Sequence, residues 1–284
     1  MQHGSDVRQK LNQQRQLDLL EPEQIWKRSL LAKIEGLIPW QVYDHLSKCG
    51  VQEIYRTCNG CGNWDTFYYR CSLKFCPLCN WRIARNRSEL LKHWTVRVTQ
   101  PKHVVVTARN SQFITRRKIR QFMQAFGKLR RQKLFRNLRG GCVSFEITNE
   151  GRGWHLHAHA LVDCDWVDAA ALAVKWGKLV GQDYAIVKVK DCRQQSYLGE
   201  LTKYVVKGAQ LASWSPEEIA QFIHAIRGVR FFATFGALFK LSREIRAEIN
   251  REKPPAKPCG CGCVDWTYQT EEAVIMGEIR AGQK

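Results

Sequence analysis

Three histidines alternate with apolar residues in the segment 154–162. Side chains in a β-strand point alternately to its two faces, so His155, His157 and His159 share one face and the apolar residues share the other. Imidazole is a common ligand for divalent cations. Three of the chain's eight histidines fall on this one face. That favours a metal site over a half-buried strand whose polar face carries histidine by chance.

A carboxylate from the preceding segment can join these histidines. The pattern predicts a strand over 142–148 and a turn over 149–153, so the two strands would form an antiparallel hairpin. Directly opposed residues share a face, and Glu146 reaches the histidine face if it pairs with His155 or His157. The same register also joins the apolar faces of the two strands. The hydrophobic pattern and the ligand pattern therefore predict the same hairpin.

A predicted helix over about 196–207 carries a second set of reactive groups. Tyr197, Glu200, Tyr204 and Lys207 recur at spacings of three and four and share roughly one helix face. A tyrosine can attack phosphorus when a metal or an ammonium group favours its phenolate form. A carboxylate one turn away can activate water or a second nucleophile. An amphipathic surface helix is the plainer reading, but the histidine face and the basic charge of the chain argue against it.

Two Cys-x-x-Cys pairs and one intervening cysteine indicate structural zinc. The pairs are Cys58 with Cys61 and Cys76 with Cys79, and Cys71 lies between them. Five thiols compete for four positions, so we expect one site in which Cys58 or Cys71 is spare or bound elsewhere. A redox pair would account for one Cys-x-x-Cys motif but not for two in tandem.

A proline-rich linker near residue 255 is followed by Cys259, Cys261 and Cys263. Three cysteines cannot complete a tetrahedron alone. They predict either a second metal site or a contribution to the first one.

The composition points to nucleic acid. The 284 residues carry a formal charge of +19 with 44% hydrophobic residues, enough for a sizeable core. Membrane-surface binding is the alternative, but no apolar run could span a bilayer, and the first residues do not resemble a signal peptide. We therefore expect a reducing cytoplasm, where twelve cysteines indicate metal sites rather than disulfides.

Two basic segments are candidates for DNA contact. One is the helix that begins after Cys79, and the other is an arginine-rich helix with an apolar stripe from Ile119 to Leu129. A solvated charged face would look similar. The arginines that we single out are Arg82, Arg85, Arg87, Arg116 and Arg117.

The order of predicted elements in the central part is strand, helix, strand, strand, helix, strand, helix. This order predicts an α+β domain of the ferredoxin-like (RRM-like) type, with an antiparallel sheet and helices on one face. We divide the chain into a mobile polar arm, a helical and zinc-binding segment, the central α+β domain and a Pro/Cys-rich tail. Their bounds are 1–20, 21–95, 96–250 and 251–284.

The motif order resembles that of the rolling-circle replication initiators of small bacterial plasmids, within the HUH endonuclease superfamily. Five stretches carry the resemblance, in the order that the family has them. They are Phe75–Arg82, Val104–Thr107, Glu146–Thr148 leading to His157–Val162, Glu200–Lys207, and Gly236–Lys240. The resemblance implies that 96–250 is an HUH nuclease domain.

The resemblance also implies roles for individual residues. His157 and His159 would hold Mg²⁺ or Mn²⁺ with Glu146 as third ligand. Tyr204 would cut one DNA strand, leaving a 5′-phosphotyrosine and a free 3′-OH. Glu200 would activate water at termination, and Lys203 and Lys207 would neutralise the phosphate. His155 departs from the pattern, because the family often has an uncharged residue there, and it raises the possibility of another ligand set or a softer metal.

The implied partners are plasmid origin DNA as a hairpin or single strand, a host helicase and polymerase, and a second copy of the chain in a homodimer. The chain has no phosphate-binding Gly-x-x-x-x-Gly-Lys motif, so a helicase would be a separate protein. Three alternatives stay open: a related transposase or relaxase, a non-catalytic zinc-containing DNA-binding regulator, and a zinc hydrolase with histidine ligands.

Overall fold

The computed structural model describes residues 24–135, 137–183, 185–192, 208–252 and 258–269. The helices are α1 (24–34), α2 (Trp40–Lys48), α3 (Pro77–Thr95), α4 (Arg116–Leu129), α5 (Ala169–Val180), α6 (Gly208–Ser213), α7 (Pro216–Ile226) and α8 (Ala237–Glu252). The strands are β1 (Glu53–Cys58), β2 (Trp64–Tyr68), β3 (Pro101–Thr107), β4 (Gly140–Asn149), β5 (Trp154–Asp163), β6 (Val187–Asp191), β7 (Phe232–Gly236) and β8 (Trp266–Gln269).

Five strands form the central sheet in the order β6-β3-β5-β4-β7, and every neighbouring pair is antiparallel. The hairpin β4–β5 places β5 in the middle of the sheet, where it pairs with β3 on its other side. Helix α4 connects β3 to β4, and α5 connects β5 to β6. The prediction of an α+β fold with an antiparallel sheet is confirmed.

The β4–β5 register places Glu146 opposite His157, one of the two pairings that the sequence allows. Phe145 then lies opposite Ala158, and Val143 opposite Ala160. The apolar residues of both strands consequently share one face, which is buried. The polar residues share the other face, as the alternation of side chains requires.

The helices α4, α5 and α7 cover the apolar face of the sheet with aromatic side chains. Phe122 of α4 packs edge-on against Trp176 at 5.3 Å and against Phe145 at 6.2 Å. Trp176 is fully buried and donates its indole N–H to the carbonyl oxygen of Thr107 at 2.6 Å. On α7, Phe222 packs against Trp154, which begins β5. Such aromatic pairs each add about 0.5–1.5 kcal/mol beyond area burial.

Local sequence signals explain where several helices begin and end. Asp168 caps α5 by accepting hydrogen bonds from the backbone N–H groups of Ala170 and Ala171, and Gly181 ends the helix with a φ of +69°. Ser215 and Glu218 form a reciprocal capping box at the start of α7. Pro216 occupies the first turn of the same helix, where its missing N–H group costs no hydrogen bond.

The opposite face of the sheet divides into two halves. Near the Gly140 end, α3 and α8 pack together and bury an apolar cluster against Cys142 and Leu161. That cluster consists of Leu90, Leu91, Trp94, Leu238 and Ile245. The other half carries the histidines of β5.

A second, small sheet has the order β2-β1-β8 and is antiparallel throughout. Strand β8 comes from the C-terminal segment, and it pairs with β1 through Cys58 opposite Trp266 and Tyr55 opposite Gln269. Segments about 200 residues apart in sequence are therefore joined by a backbone ladder. None of the helices within the described ranges has the length and the apolar composition of a membrane span.

The buried carboxylate of Asp163 joins the ends of three strands. It accepts hydrogen bonds from the backbone N–H of Gln100 at 3.0 Å and from Arg139 Nη2 at 2.6 Å, and it is 7% exposed. Burial acts to raise the pKa of Asp163, but the hydrogen bonds from Arg139 and Gln100 outweigh it and hold the pKa below its ordinary value.

We predict that Asp163→Asn lowers the free energy of unfolding at pH 7 by about 2 kcal/mol, because a charge-assisted bond to Arg139 is lost. The lowered pKa means that the carboxylate stabilises the fold above its unfolded-state pKa and loses this effect as pH falls through the folded-state value. The difference between the two proteins should therefore shrink below about pH 4. Urea unfolding at each pH measures this difference in the free energy of unfolding.

The matched control is Asp165→Asn, which removes the more exposed carboxylate on the same guanidinium. An equal effect of both variants would contradict the prediction.

Candidate functional site

The three histidines of β5 lie side by side on one face of the central strand. The ring centroids of His155 and His157 are 4.1 Å apart, and those of His157 and His159 are 6.1 Å apart with nearly parallel planes. All three side chains are half-buried. The alternating pattern in the sequence is enough to bring them together.

Strand β4 adds the carboxylate. Glu146 Oε2 is 3.3 Å from His159 Nε2, and both side chains are largely buried. Thr148 Oγ1 lies 3.3 Å from His157 Nε2. The β4–β5 register thus places the Glu146 carboxylate beside His159 and the Thr148 hydroxyl beside His157.

A fourth histidine, which we did not predict, lies on this face. His103 is on β3 opposite Leu161, and its ring stacks on that of His159 with centroids 5.6 Å apart. His103, Val105 and Thr107 share one face of β3. When β3 pairs with β5, this face becomes part of the histidine face. That pairing is a long-range contact, and the β3 sequence alone does not reveal it.

Burial lowers the pKa of His155 below its ordinary value. The neutral imidazole is the form that binds metal ions, so the burial of His155 favours coordination at that position. His159 offers a nitrogen for it, because Nδ1 is buried and has no hydrogen-bond partner within the part of the chain that the structure describes.

The histidine face is not a closed ligand cage. Among the described residues, two groups of ligand atoms lie with all members within 4.8 Å of one another, and both groups consist of cysteines. His157, His159 and Glu146 share one surface, but their ligand atoms do not form a group of that kind.

The predicted catalytic residues Tyr204, Glu200, Lys203 and Lys207 lie outside the described residues. The chain reaches them from β6, the edge strand, which pairs with β3. Lys188 and Lys190 of β6 are exposed and lie opposite Val105 and His103. They add positive charge to the histidine face, and no motif in the sequence pointed to them.

The cysteines form two clusters rather than one. The first contains Cys49, Cys71, Cys76 and Cys79, with Sγ–Sγ distances of 3.5, 3.7 and 3.8 Å between hydrogen-bonded neighbours. The second contains Cys58, Cys61, Cys259 and Cys261. The expectation that the two Cys-x-x-Cys pairs share a site is wrong.

The β1–β2 hairpin separates the two pairs. Cys49 precedes β1 and Cys71 follows β2, so both lie at the base of the hairpin beside the start of α3. Cys58 and Cys61 lie at its tip, roughly 17 Å away along a six-residue strand. Cys49 belongs to no short motif, and sequence spacing alone could not identify it.

The thiols of each cluster perturb one another. Hydrogen bonding with Cys71, then with Cys76 and Cys79, lowers the pKa of Cys49 well below its ordinary value. At Cys58, burial acts to raise the pKa, but the backbone N–H groups of Gly60 and Cys61 and the neighbouring thiols lower it to about 6. One thiol in each cluster is therefore biased toward the thiolate form, which is the metal-binding form. Hydrogen bonding with the neighbouring thiols raises the pKa of Cys71 and Cys76 in the first cluster and of Cys61 in the second.

A buried lysine lies beside the first cluster. Lys27 of α1 is only 2% exposed and donates hydrogen bonds to the carbonyl oxygens of Cys49 at 2.6 Å and Ser47 at 3.1 Å. Burial lowers its pKa, whereas the charge of Cys49 acts to raise it. An ammonium group is buried at acceptable cost only where negative charge compensates it. Deprotonated cysteines would supply that charge.

The five arginines predicted to bind DNA fall into two classes. Arg82 and Arg85 are exposed on α3, and Arg116 and Arg117 are exposed at the start of α4. Arg87 instead lies over the ring of Phe232, 5.1 Å from its centroid, and burial lowers its pKa. Four of the five are therefore accessible to a phosphate backbone, and Arg87 packs α3 onto the sheet.

A family model described as a replication protein, Rep_1, matches residues 68–256, about two thirds of the chain. The chain belongs to this family. The matched range includes the histidine strand and the first cluster's Cys71, Cys76 and Cys79, and it confirms the resemblance to plasmid replication initiators.

Two curated relatives agree with this assignment. A protein named "Protein rep" from Lactiplantibacillus plantarum is 28% identical over 212 residues, which cover 63% of this chain and 67% of the relative. A "Protein rep" from Lentilactobacillus hilgardii is 27% identical over 214 residues, covering 64% and 67%. No solved structure matches the chain.

The packing of Arg87 predicts that its loss lowers the stability of the fold, unlike the loss of an exposed arginine. Arg87→Ala should lower the free energy of unfolding by about 1–2 kcal/mol, because its contact with Phe232 and its buried aliphatic part are lost. Urea unfolding checks this. Arg85→Ala, on the exposed side of the same helix, is the control and should leave stability unchanged while weakening DNA binding at low salt. Unaltered stability of Arg87→Ala would show that its packing is unimportant.

Proposed function

We propose that this replication protein initiates rolling-circle replication by nicking and rejoining one strand of a plasmid origin through a 5′-phosphotyrosine at Tyr204. One observation carries the proposal. In a chain of the replication-protein family, Glu146 pairs opposite His157 and contacts His159 on one face of the central strands. Two imidazoles and a carboxylate on a sheet face suit a divalent cation with open positions.

The strand order supports an HUH domain of the ferredoxin-like type within 96–250. The order β6-β3-β5-β4 results when two strand-helix-strand units interleave, with each crossover helix on the same face of the sheet. Helices α4 and α5 pack together on the apolar face, and the histidine face remains for chemistry. Strand β7 extends this sheet beyond β4.

The residues on the histidine face fit a catalytic metal. His159 has the buried, uncommitted Nδ1 described above, and burial favours neutral imidazole at His155. Bound Mg²⁺ or Mn²⁺ would polarise the scissile phosphate as a Lewis acid. Because imidazole ligands outnumber the carboxylate, we propose that Mn²⁺ binds more tightly than Mg²⁺. His155 and His103 would then adjust the orientation of the pair His157 and His159.

The proposed nicking step conserves the number of phosphodiester bonds. The phenolate oxygen of Tyr204 attacks phosphorus, the P–O bond to the 3′ oxygen breaks, and that oxygen takes a proton to become the 3′-OH. Lys203 and Lys207 neutralise the phosphate charge that increases during attack. Glu200 removes a proton from water when the phosphotyrosine is finally hydrolysed. Before that hydrolysis the phosphotyrosine retains the energy of the phosphodiester bond, so rejoining by attack of a 3′-OH needs no nucleotide cofactor.

We propose that Arg82, Arg85, Arg116 and Arg117 hold the origin DNA, either as a hairpin or as a single strand. All four are exposed, and Arg116, Arg117 and Arg120 line one shallow cleft at the start of α4. A host helicase and a polymerase would act after the nick. A homodimer would supply a second tyrosine for the closing step.

We also propose that Cys49, Cys71, Cys76 and Cys79 bind a structural Zn²⁺. Four bonds of 2.3 Å in a tetrahedron give sulfur–sulfur edges of about 3.8 Å. The distances in this cluster, 3.5 to 3.8 Å, support that geometry. A tetrathiolate site is anionic, which is also consistent with the buried ammonium of Lys27.

The nucleophile assignment predicts that Tyr204→Phe forms no covalent adduct with DNA. The wild-type chain, incubated with labelled single-stranded origin DNA and Mn²⁺, should give an adduct that survives a denaturing gel. Phenylalanine keeps the ring and removes the attacking oxygen. Tyr197→Phe is the matched control on the same predicted helix face and should retain the adduct. An adduct from Tyr204→Phe would overturn the assignment, and a wild-type protein that binds DNA without forming one would favour a regulator.

The metal assignment predicts that Glu146→Gln weakens Mn²⁺ binding by at least about tenfold, because an anionic ligand becomes neutral without a change of shape. The free-ion signal in electron paramagnetic resonance measures this affinity. Nicking by the variant should recover as Mn²⁺ is raised. Glu150→Gln, in the exposed turn of the same hairpin, is the control. Equal Mn²⁺ affinity in all three proteins would exclude Glu146 as a ligand.

A further inference from the structure

The second cysteine cluster lies where two distant parts of the chain meet. Cys58 and Cys61 are at the tip of the β1–β2 hairpin, and Cys259 and Cys261 lead into β8. The Sγ atoms of Cys58 and Cys261 are 3.7 Å apart, and those of Cys61 and Cys259 are 3.4 Å apart. All four sulfurs lie within 4.8 Å of one another.

These distances fit a metal site rather than disulfides. A disulfide bond is roughly 2.05 Å long, and all four cysteines are free thiols. Tetrahedral zinc with four thiolates gives sulfur–sulfur edges of about 3.8 Å. Each sulfur has a close contact across the cluster with a sulfur from the other segment, so neither segment could form the site alone.

Each segment is closed by a similar pair of backbone hydrogen bonds, and the first segment is one residue longer than the second. In the first, Cys58 N donates to the carbonyl oxygen of Asn63 at 2.7 Å and Gly62 N donates to that of Cys58 at 2.9 Å. In the second, Cys259 N donates to the carbonyl oxygen of Cys263 at 2.8 Å and Gly262 N donates to that of Cys259 at 2.8 Å.

A glycine with positive φ follows the second cysteine of each segment, at +75° for Gly62 and +86° for Gly262. This conformation closes each turn tightly around its pair of sulfurs. The two turns also pack against each other, because a Cβ on Gly60 would lie 3.0 Å from Cys263 Cβ and 3.2 Å from its Sγ. Two tight turns that face each other thus bring the four sulfurs together.

We propose that Cys58, Cys61, Cys259 and Cys261 bind a second structural Zn²⁺, which fastens the C-terminal strand β8 to β1. All four residues lie outside the range 68–256 that matches the family model. The site therefore lies outside the matched domain, and its presence does not depend on the nicking mechanism.

The small sheet needs such a link. Strand β8 has four residues, and most side chains of the three strands are exposed or half-buried, whereas Cys58 is 1% exposed. A short three-stranded sheet with little buried apolar surface is marginal in water. Metal binding supplies the missing stability, because the ligands come together only in the folded state.

Cys263 provides the matched control. It lies two residues beyond Cys261, yet its sulfur accepts a hydrogen bond from the backbone N–H of Asp265 at 3.4 Å and it is not among the four cluster members. Replacing Cys263 with serine keeps a hydrogen-bond acceptor there and leaves all four proposed ligands in place.

The experiment is a zinc count on full-length protein purified under reducing conditions, measured by inductively coupled plasma mass spectrometry. We expect two zinc ions per chain in the wild type and in Cys263→Ser, and one in Cys261→Ser and in Cys76→Ser. Cobalt substitution should show tetrahedral thiolate bands with half the wild-type intensity in each single-site variant. A wild type with one zinc that Cys261→Ser retains would overturn the proposal.

Hydrogen–deuterium exchange distinguishes a metal that fastens β8 to β1 from a metal that binds without stabilising the strand. In Cys261→Ser, the backbone amides of β1 and β8 should lose protection, while those of β3 and β5 keep theirs. Cys263→Ser should match the wild type throughout. Unchanged protection of β8 in Cys261→Ser would show that the cluster does not fasten the strand. Neither result depends on whether Tyr204 is the nucleophile, so each proposal fails on its own evidence.

Discussion

The hydrogen-bonded register between β4 and β5 is the constraint on which the rest of the structure depends. It places Glu146 opposite His157 and, one position away, Phe145 opposite Ala158. A slip of one residue would turn every side chain of one strand to the other face. The aromatic helices of the apolar side would then meet imidazoles, and the carboxylate would be buried against Phe122. The packing of one face therefore fixes the chemistry of the other.

The polar face is held together by contacts among its own side chains. Glu146 and His159 are both largely buried and in contact, which a lone carboxylate or imidazole would not tolerate. The rings of His103, His159 and His157 stack in sequence across β3 and β5. Side chains that depend on one another in this way are held in fixed positions, and a metal site requires ligands that are already oriented.

Sequence periodicity could predict what lies within one strand or one hairpin, and little that depends on distant pairing. Local rules predict that the histidines around His157 share one face and that Glu146 lies on the same face of the hairpin. The structure shows both features. Cys49 and His103 join their groups only through contacts between segments far apart in sequence, so no local spacing reveals them. Arg87 resembles its neighbours Arg82 and Arg85 in sequence, and only the position of α3 on the sheet distinguishes it.

Helix α3 connects the first cysteine cluster to the histidine face. Its N-terminal turn carries Cys76 and Cys79, and its last turns bury Leu90, Leu91 and Trp94 against Cys142 and Leu161 of the central strands. Arg87 lies between these ends and packs over Phe232. A helix anchored at one end by the cluster and at the other by the sheet cannot shift along the strands without breaking one of these contacts. The cluster thereby fixes how much of the polar face is covered by α3 and α8, and how much is left to the histidines.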